Sequence, residues 1–303
     1  FYKFPGVNFF KWALILSFAV PPYIYAYSLV AFFENYGTAF TILKALFGEG
    51  TYNKSIPKFD GMFGAILSIS FSLFGYVYIL TRASFFYQSQ NLIEIGRNLG
   101  FSKIKSLFSI ILPSARPAII AGLSLVAMET LSDFGAVSFF GINTLTTGIY
   151  DSWIAFDDLA FANQLSFYLL IFILALFILE NYSRKKAKYH VPIKGGFKKK
   201  EKLNLKGINS FLAFIACFIV FFLSFIFPLS QMFYWTIIFP DNFYNLNIFE
   251  LLFNTIYLVV ISSLVLIIFS FISNYGNRMS NSRFLNLLTA FSVSGYAIPG
   301  VIL

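Results

Sequence analysis

Seven apolar runs recur along the chain, near residues 12–33, 61–81, 117–137, 163–181, 208–230, 251–273 and 284–303. Each is close to the about 20 residues that a helix needs to cross a hydrocarbon core about 30 Å thick. The pattern predicts an all-α polytopic membrane protein. The first run is too long, and too interrupted by Pro21-Pro22, to be a cleaved signal peptide. Between the second and third runs lies a polar stretch with its own order, Glu94 to Pro113, EIGRNLGFSKIKSLFSIILP. Gly100 breaks it, Ser102 is placed to cap a new helix, and Pro113 closes it. Ile104, Leu107, Phe108 and Ile111 recur at helical spacing, with Lys103 and Lys105 on the other face. This predicts two short amphipathic helices around a glycine elbow.

Charge sets the orientation. Residues 82–116 carry Arg82, Arg97, Lys103, Lys105 and Arg116 against Glu94, and residues 183–207 carry ten basic residues against Glu201. Loop 141–162 has Asp151, Asp157 and Asp158, and loop 231–250 has Asp241 and Glu250, neither with Lys or Arg. Basic and acidic loops alternate as the spans require, which puts the basic ones in the cytoplasm. Loop 34–60 is balanced and does not vote. The lysine-rich run reads as an inside-anchoring linker, made flexible by Gly195-Gly196 and Gly207. Binding of anionic lipid or RNA is its rival reading.

Composition narrows the chemistry. Hydrophobic residues make up 58% and charged ones 12%, with a mean hydropathy of +0.75, a load that a bilayer solvates. The net charge of +9 is concentrated in loops beside spans, which argues against nucleic acid. Cys217 has no partner for an internal disulfide and reads as a small packing residue. His190 is the single histidine and reads as a solvated loop residue, so no histidine metal cluster or catalytic dyad is expected. No phosphate-binding G-x-x-x-x-G-K-[ST] loop occurs. No catalytic residue, metal or cofactor is expected.

Glu129 and Asp133, four apart, share a helical face inside the third run. An ionisable group at mid-membrane costs about 2.5–3.5 kcal/mol on insertion scales. Two readings follow: a pathway lining for a cationic substrate, or a polar hinge. In the hinge, Asp133 bonds backbone near Gly135 and Glu129 pairs with a neighbouring hydroxyl.

The spacing of Glu94, Gly100, Ile110, Leu112 and Pro113 resembles the cytoplasmic signature loop of ATP-binding-cassette importer permeases. The two alanines that usually follow the glutamate are Ile95 and Gly96 here. Met128-Glu129-Thr130-Leu131, Asp133-Phe134-Gly135-Ala136-Val137, Phe140-Gly141, Thr146-Thr147-Gly148-Ile149-Tyr150 and Trp153 are similar to the ferric-iron branch, a fusion of two permease units. The resemblance implies a type I (MetI-like) permease bundle in a bacterial inner membrane. Residues 1–182 would form a first unit with a coupling loop at 84–113, residues 183–207 a cytoplasmic linker, and residues 208–303 the start of a second unit. The pair Ala19-Val20-Pro21-Pro22 and Ala297-Ile298-Pro299-Gly300 fits such a repeat, and the chain reads as a window on a longer protein. The implied partners are a separate ATPase dimer gripping the elbow and a periplasmic binding protein delivering ferric iron to the outer loops. The alternatives are a permease of the same class for sulfate, molybdate, thiamine or polyamine, and an ion-coupled secondary transporter.

Overall fold

The computed structural model describes residues 2–48, 56–186, 203–240 and 247–280, with Leu285 and Leu288. The expected elements in 187–202, including His190, lie outside the described residues. So does most of the seventh run and the second member of the proline repeat. The architecture is all-α and polytopic, apart from a two-residue parallel bridge between Tyr2–Lys3 and Leu203–Asn204. Among the described residues, five helices are long and apolar enough to span a membrane: Gly61–Phe86, Ile104–Ser132, Leu159–Ile178, Ile208–Ile238 and Ile248–Gly276.

The first run is not one straight span. Helix α1 (Val7–Ala13) passes into a 3-10 turn (Leu14–Ala19), and α2 (Pro22–Phe33) starts afresh. The two limbs, Val7–Ala19 and Pro22–Phe47, meet at 91°. Pro21 and Pro22 supply no N–H, and they occupy both positions from which Phe18 O would receive a helical bond. The outer limb continues into α3 (Thr38–Phe47).

Helix α4 (Gly61–Asn98) is the spine. Its 38 residues make about 57 Å at 1.5 Å per residue, nearly twice the hydrocarbon thickness. The first half of the expected elbow is therefore the end of this helix rather than a short helix of its own. Gly64, Ser68, Ser72 and Tyr76 form one ridge at four-residue spacing, and Ala65, Ile69 and Leu73 form the ridge beside it. From the apolar ridge, Ile69 and Leu73 pack with Ala26, Ala136 and Val137 in one core cluster.

Helix α5 (Lys103–Ser106) runs through a widened π turn (Leu107–Ile111) into α6 (Leu112–Ser132). Pro113 does not close the elbow, as its position suggested. Leu112 N–H reaches back five residues to Leu107 O, and this wider turn carries the helix past a proline that has no donor. The third run is corrected as well: its helix stops at Ser132, and α7 (Gly135–Phe139) is a separate short turn of helix.

α4 and α6 cross closely, with Gly122 against the backbone of Val77: an added Cβ would lie 2.6 Å from Val77 Cα. After α8 (Leu145–Tyr150) comes α9 (Leu159–Lys186). Helix α10 (Ile208–Phe221) packs back on the first limb, with Phe221, Phe214 and the half-buried Cys217 around Phe10, Ala13 and Leu14. Gln231, in α11 (Phe227–Ile238), donates to Thr38 Oγ1 at 2.8 Å. The described residues up to Gln231 form one compact body, which includes α10. The described residues from Met232 onward form a second body, dominated by α12 (Ile248–Ser280). No residue of the apolar window of α12 is buried.

Candidate functional site

Two places carry the polar chemistry of the first body, one at each end of the α4–α6 pair. The first is the elbow. Phe101 N–H donates to Gly96 O and Gly100 N–H to Arg97 O, both at 2.9 Å. This bond pair ends a helix on a left-handed residue, and Gly100 has φ +70°. Lys105 N–H donates to Ser102 Oγ at 3.2 Å, so Ser102 caps the following helix. Glu94 lies in the last turns of α4, Ile110 in the π turn, and Leu112 and Pro113 at the start of α6. Gly96 is buried because Ser106 Oγ stands where its Cβ would be. That contact accounts for the glycine in place of an alanine.

The amphipathic reading of the elbow needs one correction. Ile104, Leu107 and Phe108 are exposed, not packed, and only Ile111 of the four is buried. The covered face holds Ser106, Ile111 and Ala115 instead, because the helix turns its apolar positions away from α4. Lys105 Nζ lies 4.3 Å from the centre of the Phe101 ring. Midway along α4, Arg82 Nη1 donates to Lys11 O at 2.7 Å and its guanidinium lies over the Trp12 ring.

The second place is a cavity of about 310 Å³ at the break in the first helix. Phe18, Val20, Pro21 and Pro22 wall it on one side, and Ser72, Tyr76 and Glu129 face it from α4 and α6. Tyr76 Oη donates to Glu129 Oε1 at 3.1 Å, and the Phe18 ring meets the Tyr76 ring edge-on at 4.6 Å. Among the described residues that line it, Glu129 is the one that carries a carboxylate, and none is Lys or Arg.

Asp133 is not in that lining. Its Oδ2 accepts from Ala136 N–H at 3.0 Å and Val137 N–H at 3.1 Å, holding α7 against the end of α6. Thr146 Oγ1 donates to Leu131 O at 2.9 Å and ties α8 to the same place. Both acids therefore make the local contacts that the hinge reading names. The elbow residues 94–113 come together as one unit, whereas Glu129 and Asp133 part company. Tyr76 and Ser72 are the members that sequence reasoning missed. The four-residue ladder Gly64-Ser68-Ser72-Tyr76 was the available signal, since a polar ridge on a spanning helix needs a reason.

A multi-pass helical bundle with a charged elbow beyond one end and a carboxylate cavity toward the other has the architecture of a membrane permease. Over residues 2–188 the chain matches the family described as binding-protein-dependent transport system inner membrane component, and it belongs to that family. The multi-pass helical architecture fits that family. The chain is similar to the Fe(3+)-transport system permease protein FbpB 2 of Haemophilus influenzae, with 26% identity over 78% of this chain and 42% of that protein. It is also similar to the sulfate transport system permease protein CysT of Salmonella typhimurium, with 25% identity over 47% of this chain and 48% of that one. The chain thus spans about half the length, or less, of these relatives. No solved structure matches it.

Proposed function

We propose that the chain is the transmembrane subunit of an importer that moves ferric iron, bare or chelated, into a bacterial cytoplasm by alternating access. A separate ATPase dimer grips the elbow around Glu94 to Gly100, with Ile110, Leu112 and Pro113 anchoring it to α6. A periplasmic binding protein delivers the ion to the outer loops. The exposed Ile104, Leu107 and Phe108 supply an apolar surface for the ATPase. Because α4 is one rigid helix from elbow to cavity, a push at Gly100 displaces Tyr76 as well. Glu129 lines the pathway, and Asp133 shapes the turn above it.

The observation that carries the choice of solute is the sign of the cavity. Its lining includes the Glu129 carboxylate, which favours a cation over sulfate. The relative named for Fe(3+) supports this reading, and the relatives named for sulfate support the rival one. The test is uptake by vesicles holding the permease, its ATPase and its binding protein, offered labelled iron or labelled sulfate. ATP-dependent iron uptake is expected, and ATP-dependent sulfate uptake without iron uptake would reject the assignment. Transport that persists without any ATPase would favour the secondary-transporter alternative.

A further inference from the structure

We infer that the cavity at the break of the first helix is an oxygen-only coordination station for a hard cation, with the Glu129 carboxylate, the Tyr76 phenol and the Ser72 hydroxyl as its ligands. The starting observation is Ser72. It is 1% exposed, its Oγ has no hydrogen-bond partner among the described residues, and it lines the cavity. A buried hydroxyl normally bonds a carbonyl one turn back, as Ser68 Oγ does to Gly64 O at 2.9 Å on the same ridge. Leaving such a group unsatisfied is costly, and a ligand oxygen directed into a cavity is a use that answers the cost. Tyr76 follows Ser72 by one helical turn, so both side chains leave α4 on one face. Its phenol already touches Glu129 Oε1, which joins the α4 pair to the carboxylate of α6.

The opposite wall offers main-chain oxygen. Pro21 and Pro22 leave Phe18 O without a helical donor, and the first limb ends there with its carbonyls leading. Carbonyl ends of broken helices carry partial negative charge and suit cations. The set of carboxylate, phenol, hydroxyl and carbonyl contains no nitrogen or sulfur, which selects hard cations over soft ones. The Phe18 ring, edge-on to Tyr76, covers the station from the side of the break.

This inference rests on the importer reading for the direction of movement, but the ligands follow from the cavity itself. Terbium(III), a hard trivalent ion whose luminescence is excited through a nearby tyrosine, is the probe. The permease–ATPase assembly is placed in zwitterionic nanodiscs and titrated with terbium, with gallium(III) as competitor. Tyr76→Phe is expected to abolish the saturable tyrosine-excited signal, and Glu129→Gln to weaken binding by about tenfold. Ser72→Ala, which fits any helix, is expected to weaken it by about threefold while the assembly melts as the wild type does. Equal terbium affinity and equal signal in all four proteins would overturn the station, whatever the transport result. Terbium binding that responds to Tyr76 and Ser72, in an assembly that takes up no iron, would support the station and reject the iron assignment.

Discussion

The elbow and the cavity are built on the same two helices in opposite ways. The elbow is made of backbone: a left-handed Gly100, a capping Ser102, a π turn ahead of Pro113 and a missing side chain at Gly96. The cavity is made of side chains from three separate elements around a break. A part that receives a push must hold its shape, and main-chain devices hold shape cheaply. A part that binds and releases a small solute must change its contacts, and side chains across a kink do that. Between the two, Gly122 lies against the Val77 backbone, so α4 and α6 touch with no side chain to yield.

The largest effect is expected at that crossing. Gly122→Leu forces the helices apart, and overpacking of this kind costs about 1–3 kcal/mol or more. The folded yield in detergent should collapse; a variant that melts with the wild type would show that the crossing transmits nothing. Next comes Gly100→Val. No atom lies within 4 Å of an added Cβ there, so the penalty is pure backbone strain, about 1–2 kcal/mol for a residue held left-handed. Copurification with the ATPase should be lost while the spans stay folded, and Gly100→Asn should keep most of it. Retention by the valine variant would mean that the elbow is not the grip. Then comes Glu129→Gln, expected to slow iron uptake by about tenfold, or about 1.4 kcal/mol in the barrier, with the ATPase still bound. Undiminished uptake would remove Glu129 from the pathway and leave it as the partner of Tyr76 alone.

That division also decides what the sequence discloses. Gly100, Ser102 and the basic flanks act within a few residues of themselves, so the elbow was legible, as were five of the span positions. The break at Pro21-Pro22 was legible as an interruption but not as a 91° bend, because the angle depends on what packs against each limb. Pro113 misled, since a proline's usual role as a stop was absorbed by a widened turn. The apolar residues of the elbow misled for another reason. Periodicity finds a face but cannot tell a packed face from one left bare for a partner. The cavity could be read only in part: Glu129 stood out as an acid inside a span, but Tyr76 is 53 residues away, and only the fold brings them to 3.1 Å.

The smallest effect expected is the most diagnostic of the elbow. Gly96→Ala has two opposed consequences. Alanine in a helix interior gains about 0.8–1.0 kcal/mol over glycine, but its Cβ meets Ser106 Oγ, and displacing a close-packed neighbour costs about 1–3 kcal/mol. The single variant should therefore be only slightly less stable than the wild type, and that alone decides little. Ser106→Gly removes the obstruction but lowers helix propensity, so it too should be mildly destabilising. If the two residues truly share one space, the double variant must be more stable than the sum of the singles, by about 1 kcal/mol of coupling. Propensity by itself predicts simple additivity. Additive melting temperatures for the permease–ATPase assembly would mean that the two arms of the elbow are not wedged together, and α4 would then lose its claim to carry motion from Gly100 to Tyr76.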